Sequence, residues 1–139
     1  MNDYVEKCLV SACLTGLSTR YDGKSKKNHS CMHCLQKTLW IPVCPEQLGG
    51  LPTPRPAASI IGGNGFDVLK GKAHVLDCNN NDVTSNFIQG AELVLSIAQS
   101  QKITTCYLKS RSPSCAINGN AGVTAALLIQ QGIHVLEFD

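Results

Sequence analysis

The sequence predicts an α/β domain, with a mostly parallel twisted sheet, helices on both faces in a Rossmann-like plan, and a small β-hairpin. Three observations predict it. Short strand-like runs alternate with helix-like runs along the chain, the order that gives parallel strands joined by right-handed helical crossovers. The segment 83–101 carries Phe87, Ala91, Val94 and Ala98 at steps of four, three and four, one buried helical stripe. The segment 122–132, "GVTAALLIQQG", is almost wholly apolar and has Gly132 just past its end, where a helix terminator belongs.

The elements follow in order. "KCLVSA" (7–12) reads as a strand. "KNHSCMHCLQK" (27–37) places Cys31, Cys34 and Leu35 at helical spacing, and "LWIPV" (39–43) is a second strand. "AASII" (57–61) and "AHVLD" (73–77) read as the paired strands of a hairpin, with "GGNGFDVLKGKA" (62–73) as its turns. Asp82 or Thr84 is placed to cap the long helix. "ITTCYL" (103–108) is β-branched, and "IHVLEF" (133–138) is the last strand. No repeat or domain boundary interrupts residues 1–139, which read as a single domain.

Composition narrows the classes of function. The chain has 139 residues, 43% hydrophobic and 16% charged, enough to build one core. A net charge of +2 disfavours a large nucleic acid as partner, although Lys24, Lys26 and Lys27 make a local basic patch. No apolar run approaches the roughly 20 residues of a membrane span. The start, "MNDYVEKCLVSACL", lacks the basic and apolar regions of a signal peptide. These features predict a cytoplasmic protein without a membrane partner.

In a reducing compartment the eight cysteines call for metal binding, chemistry or core packing rather than disulfides. Cys13, Cys44 and Cys115 each lie past the carboxyl end of a predicted strand. Ligands of open α/β sheets bind outside those ends, so a three-thiolate site is the natural reading. Three thiolates suit zinc, copper or an iron–sulfur cluster, and spacing alone leaves these open. Cys8 and Cys106 sit inside strands and read as core. Cys78, in the polar turn "DCNNND", reads as an exposed bystander.

The stretches "VSACLTG" with "RYDG" (10–16, 20–23), "IPVCPEQLGGLPTPRP" (41–56), "DVT" (82–84), "LKSRSPSC" (108–115) and "GVTAALL" (122–128) together resemble the thiouracil desulfidase family. The resemblance implies a 4Fe-4S cluster, oxygen-labile and held by Cys13, Cys44 and Cys115, whose fourth iron has no protein ligand. It implies non-redox removal of sulfur from a small thiolated nucleobase such as thiouracil, giving uracil and hydrosulfide, with Glu46 as the acidic catalytic residue. Two departures stand out. Ala116 occupies a position where relatives often carry glycine or serine, and the segment "AINGNA" is short where they often carry an insertion.

Residue chemistry adds further candidates. Glu46 follows Pro45, which aims it back toward Cys44, and "LGGLPTPRP" reads as a rigid loop. Ser114 and Ser11 are hydroxyls beside the predicted ligands, Ser114 as a catalytic candidate and Ser11 as a substrate contact. Arg20, Asp22, Arg55 and Arg111 are further substrate-binding candidates. Cys31 and Cys34 in "HSCMHC" have the spacing of a second metal site or a redox pair. "GGNGFDVLKGKA" fails as a phosphate loop because Ala73 replaces the required hydroxyl, and "DCNNND" fails as a calcium loop. The alternative function is a non-catalytic iron–sulfur or zinc module that senses metal or redox state.

Overall fold

A computed structural model describes residues 5–139. The first few residues of the stretch read above as a non-secretory start lie outside the described residues. Four strands, β1 (Lys7–Ser11), β2 (Leu39–Val43), β5 (Thr105–Lys109) and β6 (His134–Phe138), form a wholly parallel sheet in the order β2-β1-β5-β6. Two more, β3 (Ala58–Ile61) and β4 (His74–Asp77), pair antiparallel as the expected hairpin. No helix among the described residues is long and apolar enough to cross a membrane.

Both faces of the sheet are covered, which is why its central strands are apolar on both sides. On one face Cys8 and Val10 of β1 pack with Leu14, Cys31 and Leu35, from α1 (His29–Cys34) and the turns beside it. On the other, Leu9, Cys106 and Leu108 pack against Val94 and Ala98 of α4 (Thr84–Ser100) and Ala125 and Leu128 of α5 (Val123–Gln130). The predicted stripe Phe87, Ala91, Val94 and Ala98 is buried along its length. Helix α5 is buried at five of its first six positions, and Gly132 just beyond it adopts φ +79, the left-handed conformation that glycine reaches without a Cβ clash.

Three local readings need correction. The segment after Cys44 is a short helix, α2 (Pro45–Leu48), rather than a loop. Proline is compatible with a first helical turn because its missing N–H has no partner there anyway. The hairpin connection contains another helix, α3 (Gly65–Leu69). Asn64 accepts from the Phe66 and Asp67 amides, and Asp67 accepts in return from the Asn64 amide, a reciprocal cap that closes the helix start. Neither Asp82 nor Thr84 caps α4 from the N-cap position, which is Val83. Asp82 instead accepts from the Thr84 amide, and the Thr84 hydroxyl accepts from the Val75 amide, tying the helix start to the hairpin.

Helix α2 lies against α4 with almost no side chain between them. A Cβ at Gly90 would stand 2.0 Å from the Pro45 carbonyl oxygen, and one at Gly49 would stand 2.0 Å from that of Asn86. Gly90→Ala therefore pushes α2 away despite alanine's better helix propensity. The expected cost is about 1–3 kcal/mol, read as a melting temperature lower by roughly 3–10 °C. A melting point unchanged within a degree would show that the two helices part without penalty.

Candidate active site

The strand order places β1 between β2 and β5, so the chain leaves β1 toward one side and the later strands add on the other. Such a reversal opens a crevice at the carboxyl ends of the strands. The Ser11 hydroxyl spans it by accepting from the Lys109 amide at 3.0 Å. A cavity of about 290 Å³ occupies this position.

Each predicted thiol reaches the cavity from a different strand end. Cys13 lies in the 3-10 turn Ala12–Thr15 directly after β1. Cys44 ends the β2 connection and caps α2. Cys115 follows β5, only 3% exposed. All eight cysteines are free thiols.

The Cys115 loop is fastened mainly by backbone. The amides of Val123 and Ala125 donate to the carbonyls of Pro113 and Ser114, and the Gly122 amide donates to that of Ala116. A Cβ at Gly122 would come within 2.3 Å of the Ser114 carbonyl carbon, so only glycine allows α5 this close. The Ser112 hydroxyl accepts from the amides of Ser114 and Cys115, a serine turn that sets the direction of both side chains.

Burial, opposed by the nearby Lys109 charge, pushes the Cys13 thiol above its ordinary range, and burial pushes Cys115 up to about 12. Thiols so buried ionise only beside compensating positive charge. Lys109, Arg20 and Arg55 line the same cavity. Burial lowers the Lys109 ammonium from its usual range, against the raising effect of Asp139 and Cys13. Among the described residues, no three His, Cys, Asp or Glu side chains close on a single metal ion. The three thiols line one cavity. Arg55 Nη2 donates to the Cys44 sulfur at 3.8 Å, and Ser114 Oγ, whose one proton goes to Glu46, lies 3.6 Å from the Cys115 sulfur.

Glu46, in the first turn of α2, lies among these groups with its side chain 12% exposed. Its Oε1 accepts from Arg55 Nε at 3.0 Å and its Oε2 from the Ser114 hydroxyl at 3.1 Å. Ser112 Oγ lies 3.0 Å from Ser114 Oγ. A hydroxyl chain thus runs from Ser112 through Ser114 to the carboxylate, so the hydroxyl that Ala116 lacks is present two residues earlier in the chain.

The remaining candidates divide. Ser11, Arg20 and Arg111 line the cavity, whereas Asp22 does not. Asp22 pairs with Arg20 at 3.6 Å and accepts from the Lys24 amide, shaping the turn. Arg111 is exposed and paired with Asp139. Arg55 is buried, and its donors are occupied by protein acceptors rather than open to substrate. Cys31 is fully buried while Cys34 is exposed, so the two do not present one face. Burial raises Cys31 to about 11, the opposite of the activation a redox thiol needs. Cys8 and Cys106 are buried in the sheet and Cys78 is exposed. Lys109, Thr19 and Tyr21 also line the cavity. Sequence reasoning singled out none of them, though Lys109 lies inside the quoted "LKSRSPSC".

The profile of the 2-thiouracil desulfurase family matches residues 8–139. The chain belongs to this family. Proteins similar to it include the uncharacterized protein YbbK of Bacillus subtilis (strain 168), 39% identical over 140 residues covering 92% of this chain and 93% of YbbK. Among solved structures, one described as the 4Fe-4S-dependent thiouracil desulfidase TudS superposes with a TM-score of 0.77 at 38% identity, covering 95% of this chain and 90% of TudS. The 2-thiouracil desulfurase family profile thus takes in all three thiols and Glu46, and the TudS likeness agrees with the parallel sheet and hairpin.

Proposed function

We propose that this family member removes sulfur from a thiolated uracil or a similar small thiocarbonyl, hydrolytically and without net redox change, at a 4Fe-4S cluster held by Cys13, Cys44 and Cys115. One observation carries the proposal. Three thiols from three separate strand ends line one cavity with a carboxylate fixed beside them. Family membership and the printed description of TudS support the same chemistry.

The balance is simple. Thiocarbonyl and water give carbonyl, hydrosulfide and a proton. The cluster, when bound, supplies a Lewis-acidic iron without a protein ligand that polarises the C–S bond and accepts the departing sulfur. The chain supplies the rest. Glu46 takes the proton of the attacking water, which general-base catalysis requires of a group within hydrogen-bond reach of the nucleophile. Arg55 occupies Oε1, which leaves Oε2 as the working oxygen, in contact with Ser114. Ser114, backed by Ser112, holds that oxygen in place, and the proton is released from Glu46 to cavity water. Lys109 and Arg20 offset the anionic thiolates, and Ser11 and Arg111 line the same cavity.

The test is anaerobic reconstitution with iron and sulfide, followed by 2-thiouracil and 4-thiouracil. Release of stoichiometric sulfide with loss of the thiocarbonyl absorption is expected from at least one of them. A loaded cluster that releases none from any thiolated base would replace catalysis with a metal- or redox-sensing role.

A further inference from the structure

We infer that Arg55 is a positioning residue that locks the second cluster ligand to the proton-shuttling carboxylate, and sets both the aim of Glu46 and the electron density at the Cys44 sulfur. The inference rests on the desulfidase reading above. Only 8% of Arg55 is exposed. A guanidinium has five N–H donors and cannot be deprotonated in a protein, so burying it is costly unless every donor is met. Here each is met. Nε donates to Glu46 Oε1 at 3.0 Å; Nη1 to the Pro52 carbonyl at 3.2 Å and Thr53 Oγ1 at 2.8 Å; Nη2 to the Thr19 carbonyl at 3.0 Å and Cys44 Sγ at 3.8 Å.

Two consequences follow. With no donor left over, Arg55 does not bind substrate. Its acceptors also come from three stretches of chain: the turn holding Thr19, the helix holding Glu46, and the turn of Pro52 and Thr53. The backbone completes the bridge, since the Arg55 amide donates to the Tyr21 carbonyl at 2.8 Å. Thr19 and Tyr21 lie on the same cavity wall as Cys44. One planar group therefore fixes the distance between a metal ligand and a base, and places a permanent positive charge against the ligand sulfur. A lysine is a point charge on a flexible stem and cannot make this fork.

The experiment compares Arg55→Lys and Arg55→Met with wild type, each reconstituted anaerobically and normalised to bound iron. The readouts are kcat, KM, and the cluster's midpoint potential and paramagnetic-resonance spectrum. Arg55→Lys keeps a charge, so its potential stays near that of wild type while kcat per cluster falls about tenfold or more and KM moves less than about threefold. Misplacement of a catalytic group has costs of this size. Arg55→Met loses the charge too, so its potential becomes more negative and its kcat falls about a hundredfold. If Arg55→Met does not fold, the Lys variant alone decides, because circular dichroism and iron content show whether it is intact. Wild-type kcat per cluster in a folded Lys variant overturns the inference. So does an unchanged potential in a loaded Met variant. Absence of sulfide release from wild type itself would instead refute the desulfidase reading, with the potential still testing the Cys44 contact.

Discussion

Cys115→Ala is expected to abolish desulfuration, by at least a thousandfold, while leaving the protein folded. The side chain is almost fully buried and packs in the core under β5 and α5. Alanine removes one sulfur from that core, a loss of order 1 kcal/mol, against the roughly 5–15 kcal/mol that holds a domain together. Its loop is fixed by backbone hydrogen bonds and by Ser112, none of which needs the thiol. Fold and function therefore separate. Anaerobic visible and paramagnetic-resonance spectra after reconstitution should show loss of the wild-type cluster signal, with circular dichroism unchanged. Cys106→Ala is the matched control, since Cys106 is equally buried in the same core but does not line the cavity. It should keep both spectrum and sulfide release. A wild-type spectrum and rate in Cys115→Ala would remove this residue from the ligand set.

Glu46→Gln should show the complementary pattern, a normal cluster and a slow enzyme. Glutamine matches the shape of glutamate and can still accept from Arg55, so α2 and Cys44 should stay in place. It cannot take a proton from water, and its amide cannot accept from Ser114 where the carboxylate does. The loss of a general base predicts a fall in kcat of about 10²–10⁴-fold with the cluster spectrum unaltered. A rate within threefold of wild type would assign the proton transfer elsewhere, with the Ser114–Ser112 pair as the first place to look.

Much of this site was legible because its key residues lie where general rules place them. Cys13, Cys44 and Cys115 each follow an apolar run, and carboxyl ends of parallel strands share one rim whatever their separation in sequence. The helical stripe from Phe87 to Ala98 was equally plain from its spacing. Other features escaped because short-range signals are weak. Helices α2 and α3 span four and five residues, too short for a hydrophobic period, and their proline and glycines read as loop. The Asn64–Asp67 cap was present in the letters but is common in turns as well. Arg55 was singled out as a substrate contact, and its buried bridging role escaped for another reason. Its burial depends on acceptors at Thr19, Glu46 and Thr53 that only the folded chain assembles, and an isolated arginine defaults to the surface. Cys34 shows the same limit, since helical spacing from Cys31 did not reveal that the short helix ends with Cys34 turned to solvent.

The backbone fastening of the third thiol also bears on how such proteins can diverge. The chain from Ala116 to Gly122 leaves and re-enters the fold through main-chain hydrogen bonds, and Glu137 grips the amides of Ile117 and Asn118 from β6. Between these anchors, Gly119 and Asn120 are exposed, and chain inserted at such a tip adds little entropy cost as it lengthens. Residues can therefore be added at this tip while the main-chain seat of Cys115 stays as it is.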